Sequence, residues 1–120
     1  MKLVIGNDHA GVEFKEKLVK ALKGRGHEII NVGTDSLESV DYPDIAALVG
    51  EKVLDGKAEY GILICGTGIG ISIAANKIKG IRAANCTNTT MAKLTRQHND
   101  ANILALGARI VGVVLALNIV

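Results

Sequence analysis

The run Tyr60-Gly61-Ile62-Leu63-Ile64-Cys65, followed at once by Gly66-Thr67-Gly68-Ile69-Gly70, constrains this chain more than any other stretch. A strand that stays apolar along its whole length is buried on both faces, the situation of an interior strand in a parallel sheet. The glycine-rich turn leads into a helix carrying Ile73, Ala74 and Lys77, so the unit reads strand, turn, helix. Parallel strands need crossover connections, and strands and helices must then alternate along the chain. They do so here. Lys2 to Gly6 reads as a strand; Val12 to Leu22 reads as a helix, with Phe14, Leu18, Ala21 and Leu22 at steps of three and four before Gly24 and Gly26 end it. Glu28 to Val32 is a second strand, Gly33 to Pro43 a long connection containing Asp and Ser, and Asp44 to about Val53 a helix. Beyond the glycine turn come a strand over Ile81 to Cys86, a polar helix over Thr89 to Gln97, a strand over Asn102 to Ala105 and a helix from Ala108 onward. The predicted fold is α/β, a three-layer α/β/α, Rossmann-like, doubly wound five-stranded parallel sheet in the order 2-1-3-4-5. It forms one domain over residues 1–120, with the ligand crevice at the carboxyl ends of the strands.

Composition narrows the function classes. The 120 residues suffice for one core, and 48% hydrophobic with 22% charged residues is ordinary for a globular domain. Aromatic residues are 2% of the chain, namely Phe14, Tyr42 and Tyr60, so the core must be aliphatic and functions that need stacking platforms, such as single-stranded nucleic-acid binding, are disfavoured. The net charge of +2 is spread without a basic block, which gives no reason to expect a nucleic-acid partner. The apolar stretch Ile110 to Val120 falls short of the roughly 18 residues of a membrane span. Met1 to Ile5 is too short an apolar run for a signal peptide, so a cytoplasmic location is the default expectation. Cys65 and Cys86 form neither a disulfide framework nor a C-x-x-C pair, and the three histidines have no metal-ligand spacing; no metal and no cofactor are expected.

If the first and third strands adjoin, Asn7-Asp8-His9-Ala10-Gly11 and Cys65 to Gly70 share one crevice. Three glycines in five residues exceed what a tight turn needs, and they let backbone N–H groups at a helix start approach an anion or a developing oxyanion. Cys65 sits where the field of that helix start favours a thiolate, available as base or nucleophile. Cys86, inside the next strand without polar company, reads as structural. A cysteine-phosphatase loop would carry an Arg where this chain has Ile71, and a phosphoacceptor sheet would carry an Asp in place of Cys65. Gly6 to Gly11 lacks the G-x-G-x-x-G of a dinucleotide site. Asp8-His9 and Arg96-Gln97-His98-Asn99-Asp100 lie at element ends, where His9 and His98 suit proton transfer; His27, at a strand start, reads as solvated. Arg109 has two readings, a phosphate ligand or a cap on the preceding turn.

These residues resemble the ribose-5-phosphate isomerase B and galactose-6-phosphate isomerase family of sugar-phosphate isomerases over almost the whole chain. The resemblance rests on Gly6 to Gly11, Asp41-Tyr42-Pro43, Gly61 to Lys77, Gly80-Ile81-Arg82-Ala83-Ala84 and Arg96 to Asn102. Cys65 together with His98-Asn99 is similar to the ribose branch. The resemblance implies a metal-independent interconversion of ribose 5-phosphate and ribulose 5-phosphate through a cis-enediolate, with six-carbon isomerisation or a non-catalytic binding module as alternatives. It implies Cys65 as the base, with Thr67 beside it, and the N–H groups of Gly66, Thr67, Gly68, Ile69 and Gly70 as the enediolate cradle. His98, helped by Asp8, would open the sugar ring; Asn99 would bind hydroxyls, and His9 and Arg109 substrate and phosphate. It further implies a homodimer, with a tetramer as the alternative, in which His98 reaches the Cys65 site of the other subunit. The apolar segment Ile110 to Leu117 fits a subunit interface. Family members continue past the position of Val120 with a Gly-Gly-Arg-His-type segment whose arginines grip phosphate. Either such a tail belongs to this chain too, or a shortened form binds its phosphorylated sugar with a raised KM.

Overall fold

A computed structural model describes residues 1–36 and 41–120, apart from the side chains at 113, 114 and 117. Among the described residues five strands form one parallel sheet: β1 (Lys2–Asn7), β2 (Glu28–Asn31), β3 (Tyr60–Cys65), β4 (Ala83–Asn85) and β5 (Ile103–Gly107). Between them run α1 (Val12–Gly24), α2 (Tyr42–Leu54), α3 (Ile69–Asn76) and α4 (Thr89–Asn99), with α5 (Val113–Ile119) after β5. Successive side chains of a strand point to opposite faces, and this divides the core in two. Leu3, Ile5, Ile62 and Ile64 meet Phe14, Leu18 and Leu22 of α1 and Ala116 and Ile119 of α5 on one face. Val4, Leu63 and Cys65 meet Ile45, Ala46 and Val49 of α2 and Ile71 and Ala75 of α3 on the other. Both halves are almost wholly aliphatic, as the composition requires, and the sheet is covered on both faces as an all-parallel sheet must be.

Local chemistry sets the ends of the helices. Pro43 occupies the first turn of α2, where its absent N–H is no loss. Asn88 caps α4 by accepting the Met91 N–H at 2.8 Å, and Asp100 ends that helix in the left-handed conformation at φ 51°.

The strand order is β2-β1-β3-β5-β4, not the expected 2-1-3-4-5. The fourth strand is three half-buried residues rather than the six from Ile81 to Cys86, and a short strand suits an edge. Four of the five residues of β5 are buried, so β5 takes the interior place beside β3. On the open side of β4 the Asn76 side chain accepts the Ala83 N–H at 2.8 Å and donates to the Ala83 carbonyl at 2.9 Å. The last helix begins at Val113 rather than Ala108, because Ile110 and Val111 N–H close a turn on Gly107 O and Gly112 is extended, at φ −73° and ψ 158°. Residues 37–40, within the expected connection from Gly33 to Pro43, lie outside the described residues. Val111, Ala116 and Ile119 of the apolar terminal segment are buried in the core, while Ile110 is exposed.

One polar contact ties α1 to the carboxyl end of the sheet. Lys15 is 1% exposed, and its ammonium donates to the Thr34 carbonyl at 2.9 Å, lies 3.4 Å from Asn31 Oδ1 and pairs with Asp35. The hydrogen bond from Lys15, then its charge, hold the Asp35 carboxyl below the usual carboxylate range, with a smaller contribution from Asn31. A carboxyl lowered on folding adds stability above its unfolded value, near 3.9, and loses it as pH falls through the folded value. Asp35→Asn is therefore expected to be less stable than the wild type at neutral pH, and to lose less stability than the wild type between about pH 5 and pH 2. Urea midpoints across that range check this.

Candidate active site

Three strands deliver their following loops to one place at the carboxyl edge. Asp8 N–H donates to Ile64 O at 3.1 Å, Ala108 N–H to Cys65 O at 2.8 Å and Arg109 N–H to Gly66 O at 2.9 Å. The exits of β1 and β5 are thus hydrogen-bonded to the exit of β3. Gly107 permits the approach on the β5 side, since a Cβ there would stand 2.5 Å from the Thr67 carbonyl oxygen.

Cys65, 6% exposed, is the last residue of β3 and is a free thiol. Its Sγ accepts the Gly68 N–H at 3.1 Å, and Thr67 Oγ1 accepts the Ile69 N–H at 3.2 Å. Gly68 has φ 81°, a left-handed value that L side chains rarely adopt, and a Cβ there would lie 2.5 Å from Asn85 Oδ1. The loop feeds directly into α3, whose first N–H groups carry the positive end of the helix dipole. Asp8 is buried beside it, with Oδ1 accepting the Ala10 N–H at 2.9 Å and so capping the single 3-10 turn His9–Gly11, in which His9 is half-buried. The Arg109 side chain lies over the loop, with Nη1 3.4 Å from where a Gly66 Cβ would be. A sulfur that already receives an N–H, in a loop leading into a helix start with a guanidinium lying over it, can take a proton from carbon and leave the resulting oxyanion a positive environment.

The chain brings Cys65, the Gly66–Gly70 loop, Asp8, His9 and Arg109 to one edge. It does not bring His98 and Asn99 there. They lie exposed in the last turn of α4, which ends beside the starts of the strands: Arg96 donates to Tyr60 Oη at 2.9 Å, and Asn102 donates to Arg82 O. The six residues of β3, at about 3.3 Å each, put roughly 16 Å between the two edges. Cys86 is buried in the core on the α1 and α5 side, and burial pushes its thiol up. His27, read as solvated, is half-buried with Nδ1 enclosed and unpartnered, because it lines a groove of about 390 Å³ with Met1, Tyr60 and Ile119. Among the described residues no three His, Cys, Asp or Glu side chains group as a metal site, and no helix is long and apolar enough to cross a membrane.

Two site neighbours were not legible as such. Tyr42 lays its ring against Gly70, with Cζ 3.1 Å from a Cβ placed there, and Asn85 holds a buried, unpartnered Oδ1 beside Gly68. Tyr42 arrives through the start of α2, and Asn85 through the edge strand. Only the strand order makes them neighbours of the loop.

A family model described as Ribose/Galactose Isomerase matches residues 3–120. The chain belongs to the ribose/galactose isomerase family. It is 52% identical over 119 residues to ribose-5-phosphate isomerase B of Escherichia coli strain K12, covering 99% of this chain and 80% of that one. To the galactose-6-phosphate isomerase subunit LacB of Clostridium acetobutylicum it is 41% identical over 120 residues, covering 100% of this chain and 69% of the relative. The solved structure of Clostridium thermocellum ribose-5-phosphate isomerase B matches at TM-score 0.97 and 59% identity, covering 99% of this chain and 80% of that chain. This member of the ribose/galactose isomerase family is accordingly a sugar-phosphate isomerase with the family's parallel α/β fold.

Gly68→Ala is expected to cost about 1–3 kcal/mol, since it combines left-handed strain with a clash at Asn85. Gly66→Ala should cost less, because its neighbour is the flexible end of Arg109. Urea unfolding of both variants measures the difference.

Proposed function

We propose that this chain interconverts ribose 5-phosphate and ribulose 5-phosphate through a cis-enediolate. The observation that carries the reading is Cys65 Sγ held under the Gly68 N–H, at the head of a glycine loop that opens α3. The Cys65 thiolate takes the proton from C2 of the open-chain aldose; the electron pair forms the C1–C2 double bond, and O1 is protonated. Return of the proton to C1, with loss of the O2 proton, gives the ketose. The negative charge on the enediolate oxygens exists around the transition state, where the loop N–H groups and the start of α3 lower its energy. Thr67 lies beside the reacting carbons, and His9 and Arg109 contact the substrate, Arg109 at its phosphate.

Ring opening needs a proton donor to the ring oxygen, and His98 assisted by Asp8 supplies it, with Asn99 on the hydroxyls. His98 and Asn99 come from a second copy of the chain. Met91, Leu94 and His98 fall at i, i+3 and i+7 on α4, and all three are exposed, as are Ile69 and Ile73 at i and i+4 on α3. Packing the α4 stripe of one copy against α3 of another covers both apolar faces and carries His98 toward Cys65. The pairing of Cys65 with His98-Asn99, similar to the ribose branch, favours the five-carbon substrate. The likeness to the LacB subunit keeps a six-carbon sugar phosphate as the second reading.

A coupled assay following ribulose 5-phosphate should find Cys65→Ala at least about 1000-fold slower than the wild type, and undiminished activity would remove Cys65 from the base role. Side-by-side kcat/KM values on ribose 5-phosphate and on allose and galactose 6-phosphates decide between five and six carbons. Tight ribose 5-phosphate binding without turnover would identify a binding module instead.

Subunit exchange tests the shared site. Cys65→Ala and His98→Ala, each inactive alone, should recover roughly a quarter of wild-type activity when refolded together at equal amounts, because half the dimers are mixed and each holds one intact site. No recovery, or a monomer in light scattering at micromolar concentration, would count against the arrangement.

A further inference from the structure

Lys15 takes no part in the reaction as proposed, yet it is a buried cation. Taking an ammonium out of water costs several kcal/mol unless it is well partnered. A methionine would fill the same volume without that cost, so the charge itself has a use at this position. Among the described residues its partners lie at the end of β2 and just beyond it: Asn31 Oδ1, the Thr34 carbonyl and the Asp35 carboxylate. The Thr34 carbonyl has a second donor, Asn7 Nδ2 at 2.9 Å, and Thr34 N–H returns a bond to Asn7 O at 3.3 Å. Asn7 Nδ2 also donates to the Asp8 carbonyl at 2.9 Å. Asn7 is fully buried, and its Oδ1 has no partner. The amide orientation is therefore fixed by the two carbonyls that Nδ2 serves, since a flipped amide would turn Oδ1 against both of them. Gly33 lies flush on Asn7, where any side chain would overlap it.

We infer that Lys15 is a positioning residue for Asp8, acting through the Thr34 carbonyl and the Asn7 side chain. The ammonium draws the 33–35 segment onto the end of β1, the segment's carbonyl orients the Asn7 amide, and the amide fixes the backbone from which the Asp8 carboxylate projects. This inference rests on the reading above, in which Asp8 helps His98 open the furanose. In that step the C1–O4 bond breaks, O4 takes a proton, the anomeric hydroxyl loses one, and C1 becomes the aldehyde carbon. Enolisation at Cys65 does not use Asp8.

The two steps separate by choice of substrate. Ribose 5-phosphate is mostly a ring and must be opened, whereas ribulose 5-phosphate is open-chain because its O5 is esterified. Exchange of the C1 hydrogen of ribulose 5-phosphate for deuterium in heavy water reports enolisation alone. Lys15→Met should lower kcat on ribose 5-phosphate about tenfold or more while changing the deuterium wash-in rate by less than about threefold. Asp8→Asn should show the same split, and the double variant should be no slower than Asp8→Asn. Asp35→Asn, at a side chain 72% exposed, should shift the split in the same direction by a smaller factor, and carries the test if Lys15→Met does not fold. Equal losses in both measurements, additive losses in the double variant, or no loss in either variant would overturn the inference. A wild type that turns over neither sugar phosphate overturns the functional reading itself, and the inference with it.

Discussion

Three consecutive carbonyls, those of Ile64, Cys65 and Gly66, hold the carboxyl edge of this protein together. They continue the hydrogen bonding of β3 past the point where its neighbours stop being strands, so the loops after β1 and β5 leave the sheet fixed to the loop between them. Each bond is worth only about 1 kcal/mol net in stability. Their positional effect is larger, because a buried donor left without its acceptor is costly and the loops have little freedom to move apart. Burial of β3 on both faces makes this possible. It gives the thiol a rigid base, and the glycines allow the neighbouring backbones to close around it.

The two edges of the sheet have different chemistry. The carboxyl edge has the thiol, the glycine loop and a buried carboxylate. The amino edge has the last turn of α4, where Arg82 and Arg96 both reach Asp100 and Arg96 stacks 4.7 Å from the centre of the Tyr60 ring. These exposed pairs are individually weak. Together with the left-handed residue at Asp100 they define how the turn bearing His98 and Asn99 ends. In the proposed reaction the proton transfers at carbon and at the ring oxygen are thus supplied by different ends of the fold, and a second copy brings them to one substrate.

Much of this was legible in the residues. The apolar run of β3, the three- and four-residue steps of α1 and the capping glycines are periodic signals, and the elements they predict are present. The order of β4 and β5 was not legible, because both read as short apolar strands; length and the fit of Gly107 against Thr67 decide which goes inside. The carboxyl-edge cluster followed once β1 and β3 were placed side by side. The separation of His98 from Cys65 follows from the parallel sheet rather than from local pattern, since the helix between two parallel strands must run back to the amino edge. The identities of the chemical roles came from resemblance to a family, and the geometry supplies the reasons those residue types suit them.

Asn76 has a consequence beyond its own helix. A strand at the border of a sheet shows a row of backbone groups that another chain can pair with, and such borders seed fibrous aggregation. By engaging both the N–H and the carbonyl of Ala83, the first residue of β4, the Asn76 amide stands in for the next strand where that border begins. With only three residues in β4, that single side chain leaves little of this border open for another strand to pair with.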